Sequence, residues 1–177
     1  MSVDFTSSHF ELFDLPVHFD IDSDKLLSRF RELQKELHPD KFAAAADSEK
    51  RWSMQAASLI NQAYQTLADD LSRAVYLLDL NGISTDEETD TRMDPEFLMD
   101  QMELRESLEG ARLSEQPWDE LNTLRATIRD KSAAQYKAFS LAASETNWTA
   151  ARTAVRQWQF FDKLSREAKS LEEKLDL

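Results

Sequence analysis

The sequence predicts an all-α protein, and three observations carry that prediction. Glycine occurs twice and proline four times in 177 residues, so few backbone breakers interrupt the chain. Ala, Leu, Glu, Lys, Gln and Arg dominate, the residues that lose least on entering a helix. Apolar residues recur at three- and four-residue spacing over long stretches, the signature of helices with one buried face.

The elements follow in order. A short helix is expected near His9–Leu15, stopped by Pro16. "DIDSDKLLSRFRELQKEL" offers Asp22 or Ser23 as N-cap and a buried stripe of Leu26, Phe30, Leu33 and Leu37. Pro39 disfavours helical geometry at His38, which ends this helix near Leu37. "FAAAADSEK" reads as a connection whose alanines could also be helical. A third helix from Arg51 carries Ala56, Ile60, Ala63 and Leu67 on one face. The fourth, "DLSRAVYLLDLNG", is expected to be capped by Asp70 and ended by Asn81-Gly82. These four helices form a first unit over residues 1–82.

"ISTDEETDTRM", residues 83–93, is acidic and aperiodic and reads as a linker. Helical signals restart with Asp94 as N-cap, Pro95 at the first helical position and Glu96 behind it, with Gly110 expected past the end. Two more helices are expected, from about Glu115 to Ala143 and from about Trp148 to Leu175. Short connections between long helices make residues 94–177 a three-helix bundle.

Composition excludes several functions. A net charge of −13 opposes nucleic-acid binding, which needs a concentrated basic surface, and suits basic protein partners. The chain has no cysteine, hence no disulfide, thiolate zinc site or iron–sulfur ligation of its own. The start shows no secretory or mitochondrial leader, and no stretch has the length and apolarity of a membrane span, so a cytoplasmic location is expected. The two glycines cannot build a phosphate-cradling loop, and His9, His18 and His38 show no metal-ligand spacing. No catalytic residue, metal or cofactor is expected.

Two features remain. His38-Pro39-Asp40 ends an amphipathic helix on which Arg31 and Lys35 lie i,i+4 on the face away from Leu33 and Leu37, with Lys41 beside the tripeptide. It is either an ordinary turn, with Pro breaking the helix and Asp bonding the local backbone, or a contact surface. On the helix from Asp94, Phe97, Leu104, Leu108 and Ala111 form one stripe, while Leu98, Met99 and Met102 fall on the far side, flanked by Glu103 and Glu106. Phe160 likewise points away from the Trp158 and Phe161 seam of the last helix. A second apolar face either packs against the first unit or binds a partner, and methionine suits an adaptable contact.

The first unit closely resembles a J-domain, two long helices joined by a His-Pro-Asp loop. That resemblance implies that His38, Pro39 and Asp40 trigger ATP hydrolysis on a chaperone of the heat-shock protein 70 class, docked through Arg31, Lys35 and Lys41. "LINQAYQTL", "RAVYLL", "FLMDQMELRE" and "FFDKL…LEEKL" extend the resemblance over nearly the whole chain, to the HscB co-chaperones of iron–sulfur cluster assembly. It implies that the C-terminal bundle binds a scaffold protein of the IscU type, through Leu98, Met99, Met102, Glu103, Glu106 and Phe160, and presents it to an HscA-type chaperone. Two positions depart from the family: Asp70 stands where Pro is frequent, and Gly110 where an acidic residue is frequent in the client-binding helix. The cysteine-containing N-terminal extension of mitochondrial relatives is missing, which points to the bacterial form. The alternatives are a J-domain co-chaperone for another client and a helical adaptor whose His-Pro-Asp is only a turn.

Overall fold

The computed structural model describes residues 3–85 and 94–175. Among these the regular structure is helical: α1 (His9–Leu12), α2 (Ser23–Glu36), a 3-10 turn (Pro39–Phe42), α3 (Asp47–Ala68), α4 (Asp70–Leu80), α5 (Pro95–Leu113), α6 (Pro117–Ser144) and α7 (Trp148–Leu175). The chain divides into two compact units, Met1–Asn81 and Gly82–Leu177. Most of the acidic linker, residues 86–93, lies outside the described residues; 83–85 have no regular structure.

In the first unit α2 and α3 form an antiparallel hairpin. Gln34 bonds Asn61, and one turn or so further along each helix Phe30 stacks on Tyr64, with ring centroids 4.0 Å apart and planes 11° from parallel. Leu26 and Leu33 from α2, its C-cap Leu37, and Ala56, Ile60, Ala63 and Leu67 from α3 are buried, with Phe10, Phe13 and Phe19 closing the core from the N-terminal side. α1 ends at Leu12, earlier than the expected Leu15. Asp14 is in the left-handed region (φ 53°), and Phe13 and Leu15 both donate their N–H to the Phe10 carbonyl.

α3 begins at Asp47, ahead of the apolar pattern that starts near Trp52, because the Glu49 carboxylate accepts from the Ala46 N–H (3.2 Å). The cap of α4 is Asp69, not Asp70: its carboxylate accepts from Ser72 N–H at 2.8 Å. Asp70 is already helical and pairs instead with Arg73. Gly82 ends α4 in the left-handed region (φ 71°), following the Asn81 cap.

Arg73 is buried and ties three segments together. Its guanidinium donates to the carbonyls of Phe19 (2.8 Å) and Leu67 (2.5 Å) and to Asp70 (2.5 Å), and it lies over the Phe19 ring. A buried guanidinium is tolerated because its N–H groups are spent on these acceptors.

In the second unit α5, α6 and α7 form one bundle. α6 runs antiparallel to both neighbours: Asp100 meets Lys131 while Gly110 lies near Glu120, and Arg125 meets Glu172 while Tyr136 meets Trp158. The core joins Phe97, Leu104, Leu108 and Ala111 of α5 to Leu121, Leu124 and Ile128 of α6 and Phe161, Leu164, Ala168 and Leu171 of α7. Asp94 caps α5 through Glu96 N–H (3.1 Å). Gly110, expected beyond the end of α5, lies inside it: the helix runs on to Leu113 with Ser114 as C-cap. The burial of Ala111 explains the continuation, since that residue must stay in helical register to reach the core. α6 opens at Pro117 rather than Glu115, with proline at its first position.

Candidate functional site

Two surfaces carry the sequence-predicted residues, one on each unit. The first is the turn after α2. His38 takes an extended ψ of 132°, as a residue before proline must, and thereby ends α2. Its Nδ1 accepts from Asp40 N–H (3.3 Å) and its carbonyl from Lys41 N–H (3.0 Å), so His38 caps the turn that its own peptide begins. Nδ1 also lies 3.5 Å from Asp40 Oδ2, a pair that is ionic only when the ring is protonated. The side chains of His38 and Asp40 are 59% and 91% exposed, which leaves both free to meet another molecule. No residue of the turn is buried; Phe42 attaches it to α3 by a tilted ring contact with Trp52 (6.2 Å).

The cations of α2 and of the turn divide into two groups. Lys25 donates to the Asp14 carbonyl (2.6 Å), and Arg29 pairs with Asp14 (2.7 Å) and Glu32 (2.6 Å), so both hold the loop after α1. The hydrogen bond to Glu32, reinforced by Asp14, raises the Arg29 pKa above its ordinary value. Arg31, Lys35 and Lys41 are exposed and have no carboxylate partner among the described residues. Arg31 and Lys35 border a shallow open groove with Asp24, Leu27, Ser28 and Glu32. The basic strip and the tripeptide are therefore brought together at the C-terminal end of α2.

The other two histidines are elsewhere. His18 is exposed and accepts from Asp20 N–H (3.1 Å), a local turn bond. His9 stacks on Tyr76 at 4.2 Å, and burial lowers its pKa. Among the described residues no cluster of three or more His, Cys, Asp or Glu is arranged to hold a metal ion.

The second surface is the outward face of α5. Leu98, Met99 and Met102 are 43%, 64% and 64% exposed, although Phe97 and Leu104 on the same helix are in the core. Glu103 and Glu106 are exposed beside them. Phe160 differs from its sequence reading: it is half-buried and packs edge-on against Phe97 (5.7 Å) and Phe161 (5.6 Å). α7 thus presents Phe160 to α5, not simply outward. Arg105, which sequence reasoning missed, lies over the Phe160 ring at 5.8 Å. Its spacing, three residues after Met102 and one before Glu106, was the available signal.

Comparison with known proteins gives these surfaces a context. A family model described as the HSCB C-terminal oligomerisation domain matches residues 93–169. The co-chaperone protein HscB homolog of Paraburkholderia xenovorans is 45% identical over 170 residues, 96% of each chain. This chain belongs to the HscB family. The HscB homolog of Burkholderia multivorans is 41% identical over 98% of this chain and 99% of its own. Among solved structures, chaperone HscB from Vibrio cholerae superposes with a TM-score of 0.84 at 38% identity, over 96% of this chain and 99% of that one. Human co-chaperone HscB does so with a TM-score of 0.90 at 30% identity, over 100% and 87%. The all-α architecture, a J-domain followed by a three-helix bundle, is that of the HscB family.

Proposed function

We propose that this HscB-family protein is a cytoplasmic co-chaperone of iron–sulfur cluster assembly that couples a scaffold client to a heat-shock protein 70 class chaperone. His38, Pro39 and Asp40, with Arg31, Lys35 and Lys41, engage an acidic surface of an HscA-type chaperone and stimulate its ATPase. Leu98, Met99, Met102, Glu103, Glu106 and Phe160 bind a scaffold protein of the IscU type. The protein performs no chemistry itself; it binds one state of the chaperone better than the other and so shifts that equilibrium.

The observation that carries this reading is the pairing of two open surfaces of opposite character. One is a basic strip ending in a solvent-exposed polar turn; the other is an apolar patch with an acidic rim. Pro39 fixes the first, so little order is lost on docking. Flexible Met99 and Met102 suit the second to a shaped partner, while Glu103 and Glu106 steer a basic one.

ATP turnover by an HscA-type chaperone, with and without this protein and purified scaffold, tests the proposal. His38→Gln should abolish stimulation and leave scaffold affinity unchanged. Met99→Ala with Met102→Ala should weaken scaffold binding about tenfold or more and leave the scaffold-independent stimulation intact. Stimulation that survives His38→Gln would sink the trigger assignment. Stimulation by the wild-type protein with no measurable affinity for the scaffold would instead favour a J-domain co-chaperone for a different client.

A further inference from the structure

We propose that the client-binding face continues past Glu106 into the groove between α5 and α6, where Glu103, Asp119 and Glu120 receive a lysine or arginine side chain of the client. The inference rests on the client surface proposed above and names its next contact. The groove has a volume of about 520 Å³ and is floored by carbons of Leu104 and Leu124. Its walls are low because short residues face each other across it, Ser107 and Gly110 from α5 and Thr123 and Thr127 from α6. Glu103 belongs to both the groove and the client face, and Met99, Glu103, Glu106 and Gly110 follow one another at helical spacing. The patch and the groove are one continuous surface.

Gly110 opens the groove on the α5 side. A glycine inside an exposed helix weakens it, and neither a turn nor a positive φ requires one here. What its missing side chain leaves open is bordered by α6: the nearest atom to an added Cβ is Glu120 Oε2 at 3.7 Å. Glu120 is aimed there by the Ser114 hydroxyl, which donates to its other oxygen at 2.7 Å and accepts from Gln116 N–H at 3.0 Å. A carboxylate from the neighbouring helix therefore stands over the bare position on α5.

Charge selects the occupant. Lys131 neutralises Asp100 at one end (2.6 Å), but Glu103, Asp119 and Glu120 have no cationic partner among the described residues. These carboxylates are not grouped as metal ligands. An apolar floor below separated carboxylates fits a long cationic side chain, whose stem lies on Leu104 and Leu124 while its head reaches the acids.

Calorimetric titration of the full chain with purified IscU-type scaffold, at several salt concentrations, decides the matter. Glu120→Gln should raise Kd about three- to fivefold at low salt and flatten the salt dependence. Gly110→Leu should cause a similar loss by filling the groove, in a helix no less stable than before. Glu167→Gln, an exposed charge on α7 outside the groove, should bind as the wild type does. Wild-type Kd for both Glu120→Gln and Gly110→Leu, with Met99→Ala still weakening binding, would overturn the extension alone. An equal loss from Glu167→Gln would also overturn it, by showing a general charge effect. If Met99→Ala is silent too, the whole client surface fails and the extension fails with it.

Discussion

The turn at His38–Asp40 and the outward face of α5 are the two surfaces proposed for recognition, yet they are held in opposite ways. The turn has no buried residue: its shape comes from Pro39, the His38 cap and the Phe42–Trp52 contact. The α5 face is held by the opposite side of the same helix, where Phe97, Leu104, Leu108 and Ala111 are locked in the bundle core. A covalently and locally determined surface is legible as a motif and cheap to mutate. One held by packing fails when the core behind it fails, even if no contacting residue is touched.

Substitutions behind each surface should sharpen that contrast. The largest effect is expected from Arg73→Met, which removes the buried hydrogen bonds to the Phe19 and Leu67 carbonyls and to Asp70 and should cost about 3–5 kcal/mol. Hydrogen exchange should show lost protection in α3 and α4, and chaperone stimulation should fall although His38, Pro39 and Asp40 are intact. Leu104→Ala should cost about 3 kcal/mol by opening a cavity under the proposed client face. Denaturant melts would report it, together with weaker scaffold binding; stability within about 0.5 kcal/mol of wild type would refute the view that the core supports that face.

Gly110→Ala should act in the other direction. An added Cβ meets only the flexible end of Glu120 at an ordinary contact distance, so α5 should gain up to about 1 kcal/mol, seen as a raised melting temperature. The smallest effect is a pH dependence. Burial lowers the pKa of His9 in the folded protein, so the unfolded chain binds the proton more readily. Its contribution is full above the unfolded value of about 6.5 and is lost as pH falls from there toward the lowered folded value. Melting temperatures between pH 7.5 and 5.5 should drop less for His9→Gln than for the wild type.

Much of the fold was readable because helix starts and buried stripes are local. Asp94-Pro95-Glu96, the Asn81-Gly82 stop and the 3–4 spacing of Leu26, Phe30, Leu33 and Leu37 need only neighbouring residues to act. The errors fell where two local signals competed. Asp69 and Asp70 are adjacent capping residues, and Asp70 is drawn off by Arg73 three residues on. Gly110 is a good stop signal that the burial of Ala111 overrides. Phe160 reads as outward-facing on a single-helix wheel, but α5 brings Phe97 and Arg105 against it.

The sequence by itself determined the helical class, most helix boundaries, the His38-Pro39-Asp40 turn and the second apolar face of α5, because each follows from residues a few positions apart. Only the tertiary structure decided which cations are spent on Asp14 and which remain free. It alone seated Phe160 against α5 and placed Glu120 over Gly110. Those facts depend on which helices become neighbours and in what register, and burial of the two cores, not any local signal, sets that register.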